Sequence, residues 1–158
     1  MKATFFLIIG LIMTGCIYSQ QSSLFVSDGE ITIPIGYEVE ILITETDQKI
    51  DSIEIVSEKE FPGRADFLKL MEGFRNADNT QSEGISIKFC VADCLGKDCV
   101  LLVMTNHYSG TLNYKATIMY KNGDVKDTSV VPVPGGLPSV EQWFNDIEVI
   151  KLYDFDFE

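Results

Sequence analysis

The stretch Ile31-Thr32-Ile33-Pro34-Ile35-Gly36-Tyr37-Glu38-Val39-Glu40-Ile41-Leu42-Ile43-Thr44 carries an apolar residue at every odd position, with Thr32, Glu38, Glu40 and Thr44 among the even ones. A period of two is that of a strand with one face buried and one face wet. Pro34 lacks an N–H to give to a ladder and Gly36 weakens one, so the run is expected to divide there into two strands or to bend at an edge. Downstream, the turn-like Asp47-Gln48-Lys49 leads into Asp51-Ser52-Ile53-Glu54-Ile55-Val56, which predicts a third strand in a hairpin with the second.

The pattern changes once and then returns. After Phe61-Pro62-Gly63, the residues Phe67, Leu68, Leu70, Met71 and Phe74 fall at helical spacing, so residues 65 to 75 are expected to form an amphipathic helix packed on the core. Residues 76 to 84 are polar and turn-rich and read as a loop. Ile85, Ile87, Phe89 and Val91 alternate again, and Cys99 to Thr105 is almost uniformly apolar, as a central strand would be. Leu112 to Tyr120 predicts another strand, Asn122-Gly123 a type I′ turn, and Val125 to Val133 the returning strand. The prolines of Pro132 to Pro138 exclude helix and inner strand. Ser139 with Gln142 three residues on has the form of a capping box, which predicts a short helix carrying Trp143 and Phe144. Val149 to Phe157 closes the chain with an aromatic face and an acidic face. Together these elements predict a mainly β fold: an antiparallel, immunoglobulin-like sandwich of about seven or eight strands with one or two short helices, or alternatively a small barrel.

Met1-Lys2 followed by Phe5 to Met13 has a basic start and an apolar stretch too short to span a bilayer as a helix, with no acid among them. This is the pattern of a signal peptide. Met13-Thr14-Gly15-Cys16 resembles the lipobox of bacterial lipoproteins, with Met13 where leucine is usual; the resemblance implies cleavage after Gly15 and lipidation of Cys16, hence a membrane anchor. An ordinary signal peptidase would instead cut after Ser19. The expected organisation is a signal at 1–19 (or 1–15 before a lipid-bearing Cys16), a polar tether at 20–24 and one β-rich domain at 25–158. The expected location is extracytoplasmic, by anchor more than by free secretion.

The whole chain of 158 residues has a formal charge of −12, and loss of Lys2 with the signal leaves 11 basic and 24 acidic residues, a charge of −13. Such a surface repels nucleic acid and anionic headgroups and favours cationic partners.

Of four cysteines, Cys16 is lipidated or discarded on either route, leaving Cys90, Cys94 and Cys99 in an oxidising space. One disulfide and one leftover thiol is the natural count. A hairpin turning around Cys94 and Leu95 would set Cys90 opposite Cys99, with Phe89 facing Val100; a tighter ring would join Cys94 to Cys99 around Leu95-Gly96-Lys97-Asp98. A rival use of the same thiols is a copper(I) or zinc site completed by Met104 or His107. Its spacings lack the paired C-x-x-C knuckle, and no metal or other cofactor is expected. His107, the only histidine, lies beside Asn106, Tyr108 and Ser109 with no G-x-S-x-G elbow, and so reads as a solvated loop residue. Asp124, Asp127, Asp154, Asp156 and Glu158 match no calcium loop. The functional expectation is a non-catalytic envelope protein, a small acidic module that binds a partner of unknown identity. Its alternatives are an inhibitor or immunity protein against a basic enzyme, and a metal-handling protein built on the cysteine hairpin.

Overall fold

The computed structural model describes residues 24–47, 49–76 and 84–158. The signal, both cut sites, Cys16 and residues 20–23 of the tether lie outside the described residues, as do residues 77–83 of the expected loop. In chain order the elements are β1 (Phe25–Ser27), β2 (Glu30–Pro34), β3 (Tyr37–Thr46), β4 (Lys49–Glu60), β5 (Ala65–Asp66), α1 (Phe67–Asn76), β6 (Ile85–Asp93), β7 (Asp98–Asn106), β8 (Leu112–Tyr120), β9 (Val125–Thr128), β10 (Pro138–Trp143) and β11 (Ile147–Phe157).

The strands form two sheets, ordered β1-β2-β11-β8-β9 and β10-β7-β6-β3-β4, with β5 lying parallel to the end of β6 and every other pair antiparallel. The expected antiparallel sandwich is the fold, and the sheets do not close into a barrel. The alternation that opened the sequence becomes its core: Ile31 and Ile33 point inward from one sheet, and Val39, Ile41 and Ile43 from the other. Pro34 ends β2, and the chain crosses between sheets at Gly36, whose φ of 89° is costly for any residue with a β-carbon. Ile35 N–H donates to the Glu148 carbonyl of one sheet and Gly36 N–H to the Phe89 carbonyl of the other, so the crossing point is bonded to both.

A second, smaller cluster lies on the outer face of the six-stranded sheet. Cys90, Ala92, Cys99, Leu101 and Val103 form its base, and Phe61, Ala65, Phe67 and Leu70 cover it. Helix α1 starts where Asp66 accepts from the N–H groups of Leu68 and Lys69, an N-cap that satisfies two otherwise orphaned donors. Its apolar stripe is not all core, however. Leu68 and Met71 are exposed, because only Phe67 and Leu70 of the first turn reach the sheet.

Four expectations change. Eleven strands are present among the described residues, not seven or eight, because the short β1, β5 and β10 form where no strand pattern stands in the sequence, each paired onto a neighbouring strand, β2, β6 and β7. Ser139 to Trp143 belongs to β10, not a helix, since it supplies the edge partner that β7 otherwise lacks, from Pro138 opposite Thr105 to Trp143 opposite Val100. Tertiary pairing has overridden a local capping pattern. The return strand β9 stops at Thr128, and residues 129–137 run irregularly along the sandwich's side, tied by Glu141 accepting from Val131 N–H and by Trp143 Nε1–H donating to Thr128. The turn at Asn122-Gly123 is real, but only Gly123 has positive φ there, and Gly123 N–H bonds to the Tyr120 carbonyl. That is a three-residue loop ending in a left-handed glycine, not a type I′ turn.

Candidate interaction surface at one end of the sandwich

Five connections meet at one end of the molecule: Ile35–Gly36, Phe61–Arg64, Cys94–Lys97, Lys121–Asp124 and Phe144–Asp146. Binding residues of sandwich domains are commonly carried on such loop clusters, held by a rigid two-sheet frame. Here the frame is well tied, with Phe61 N–H bonded to the Gly36 carbonyl and Lys121 N–H to the Asp146 carbonyl.

The β6–β7 hairpin carries Cys90, Cys94 and Cys99. Its register pairs Asp93 with Asp98 and Ala92 with Cys99, so Cys90 faces Leu101 and Phe89 faces Leu102. The pairing of Cys90 with Cys99 is therefore corrected: the strand register is displaced by two residues from the one that would join them. Cys94 and Cys99 stand at disulfide distance instead, with Cα atoms 6.0 Å apart, and Cys90 is a buried free thiol. Removal of the Cys90 thiol from water pushes its pKa up from 9.0 to about 11, against a smaller downward pull from the Lys88 ammonium.

Between the strands, Leu95 and Gly96 both have positive φ, 58° and 85°. That is the backbone requirement of a type I′ turn, where asparagine followed by glycine is usual. Cys94 N–H donates to the Lys97 carbonyl and Gly96 N–H to the Asp93 carboxylate, 2.6 Å, so the loop is fixed from within. Leu95 is 85% exposed. A leucine here meets two costs at once, since a β-carbon disfavours the left-handed region and an apolar side chain at a tip gains nothing from the core. Phe144 and Leu68, 66% and 59% exposed, lie in the β10–β11 connection and helix α1.

Two hollows accompany these side chains. One, about 380 Å³, lies between the hairpin and the start of α1, lined by Arg64, Asp66, Phe67, Leu68, Asp93 and Leu95 among others. The other, about 280 Å³, opens between the two sheets beside Phe144. An ion pair of Arg64 with Asp98 links the β4–β5 connection to the hairpin. The loops and their flanks hold Asp66, Asp93, Asp98, Asp124 and Asp146 against Arg64, Lys97 and Lys121, so this end shares the acidity of the whole.

The remaining residues singled out in the sequence do not join this end. Met104 is fully buried in the main core, on the opposite face of β7 from Cys99 and Leu101. His107 lies past the far end of β7, so the metal set Cys90, Cys94, Cys99, Met104 and His107 is not assembled. Among the described residues no three of His, Cys, Asp and Glu gather as a metal-binding group. Asp154 pairs with Lys115 at 2.8 Å, which raises the lysine's pKa by hydrogen bond and charge, and Asp127 accepts from Thr117. Sequence reading did not find that Ser86 and His107 touch, Oγ to Nε2 at 3.2 Å, because Ser86 is 21 residues away on β6. Among the described residues no carboxylate bonds the imidazole, and the pair is exposed.

Sequence reading also missed Leu95 and Phe144 as surface residues. The former was signalled only by an apolar residue before Gly96 in a four-residue inter-cysteine loop, where polar residues are the rule. No protein-family model, curated protein or solved structure matches this chain.

Proposed function

We propose that this chain is a non-catalytic binding module of the cell envelope, exported and held to a membrane through Cys16, which engages a cationic protein partner with the hairpin end of its sandwich. The observation that carries the reading is Leu95, a large apolar side chain set almost fully in water on a left-handed, internally bonded, cysteine-flanked turn. Folding alone does not favour that residue at that position; contact with a partner does. The acidity of the chain supports the cationic character of the partner, since complementary charge speeds encounter. An inhibitory role against a basic enzyme is the sharper form of this reading, because a loop already fixed in one conformation loses little entropy on docking.

The test is capture from an envelope or secreted fraction, comparing the wild-type protein with Leu95→Asp and Phe144→Ala across a salt series. A specific protein retained by the wild type at low salt and lost with either variant supports the reading. Retention of the same proteins by all three forms, or of none by the wild type, overturns it.

A further inference from the structure

We infer that the crevice between the two sheets receives the side chain of an arginine or lysine presented by the partner, an inference that rests on the reading of this chain as a protein-binding module. The crevice is about 280 Å³, at or below the lower limit of about 300 Å³ for pockets that hold small molecules, and so is of a size for one inserted side chain. Its floor is apolar: Ile35, Val91, Val100 and Ile147, drawn from both sheets. Its rim is polar, with the carboxylates of Asp98 and Asp146, the Asn145 amide and Lys121. An aliphatic stem ending in a cation matches both halves, because such side chains lay their methylenes on apolar surface and keep the charge at the edge.

The charges already on the rim leave room for the exchange. Arg64 pairs with Asp98 and Lys121 stands 3.8 Å from Asp146, with all four side chains largely exposed, pairings of small net worth in water. An incoming guanidinium can take the Asp146 carboxylate by two parallel hydrogen bonds, a geometry the Lys121 ammonium does not offer. The exposed ring of Phe144 at the rim provides a further surface for a cation. An acidic side chain would have to displace Asp98 and Asp146 from Arg64 and Lys121, against the field of a chain of charge −12. A purely apolar one would strip water from Asp98 and Asp146 without replacing it.

The experiment is a titration of ¹⁵N-labelled protein, in the form its cells produce, with N-acetyl-arginine amide. The expected result is a saturable set of amide shifts confined to Ile35, Val91, Val100 and residues 144–147. N-acetyl-citrulline amide, which keeps the shape and lacks the charge, should bind about tenfold more weakly, the loss expected for one charge-assisted contact. The doubly substituted Asp98→Asn, Asp146→Asn protein should lose the arginine response to a similar extent while the rest of its spectrum shows the fold intact. The inference is overturned if no shifts appear, if they spread over the acidic surface without saturating, or if citrulline amide or N-acetyl-leucine amide acts as strongly. Should Leu95→Asp abolish capture of a partner while arginine amide leaves the crevice unperturbed, this inference falls and the binding-module reading stands.

Discussion

At the end opposite the hairpin, Tyr108 and Asn106 show how single side chains substitute for missing strand pairing. Among the described residues β3 has no ladder partner on the β6 side past the Ile41–Ile85 pair, and the Tyr108 hydroxyl takes over: it accepts from Ile43 N–H at 2.8 Å and donates to the Ile43 carbonyl at 3.0 Å. Tyr108→Phe leaves both main-chain groups without a partner in a part-buried place, and should lower stability by about 2 kcal/mol. A shift in urea midpoint at constant slope would show it. Asn106, fully buried, donates to the carbonyls of Gly110 and Val133 and accepts from Tyr108 N–H, so it organises the same corner. Cys90 supplies a pH-dependent effect. Its thiol keeps its proton in the folded state up to about pH 11, whereas an exposed thiol loses it near 9.0. The unfolded state thus binds fewer protons between these values, and stability should fall as pH rises through that window. Replacing Cys90 by alanine should flatten this part of the stability profile. In the wild-type protein the Cys90 thiol should react with a thiol reagent only after denaturation. None of these roles is visible in the sequence around Tyr108 or Cys90, since each depends on a strand contributed by a distant segment.

The elements divide by how local their causes are. Strands β2, β3, β8 and β11 are legible because each has one face in the main core, and burial of one face writes a period of two into the residues. Strand β10 was not legible: Ser139-Val140-Glu141-Gln142-Trp143 is half exposed along its length, so only the open edge of β7 decides its conformation. The cysteine hairpin was half legible. Its two strands were plain, but the register that sets Cys90 opposite Cys99 keeps the apolar faces together as well as the observed one, displaced by two residues, does, and the turn that decides between them has leucine where asparagine is expected. On the proposed reading, that leucine sets folding against binding in a way that can be measured. Leu95→Gly removes the left-handed cost of a β-carbon, about 1 kcal/mol, offset in part by the greater freedom of glycine in the unfolded chain. The variant should be at least as stable to urea as the wild type and yet weaker in partner capture. A clear loss of stability would show instead that Leu95 packs, and would count against the interaction surface.

For the whole molecule, charge sets the rate of encounter. With 24 acidic residues against 12 basic ones, the long-range field draws a cationic partner from any direction, and salt screens it over about 8 Å at physiological ionic strength. The association rate with a basic partner should therefore fall by about tenfold or more between low salt and physiological salt, while the dissociation rate, governed by contacts such as Leu95, changes much less. Surface plasmon resonance across a salt series separates the two; equal sensitivity of both rates would remove the steering argument. Composition made this property legible from the outset, whereas the end proposed for binding was not, because its five loops come from five separate parts of the chain. The five-stranded sheet has one more consequence. Strand β11 is its middle, pairing with β2 on one side and β8 on the other, so that Ile33 waits for Ile150. Until β11 has been made, β2 and β8 have no common neighbour, and the β1-β2 and β8-β9 hairpins have nothing to join them into one sheet. The five-stranded sheet is thus a closure made late, sealed only when a distant C-terminal segment returns to the first strands.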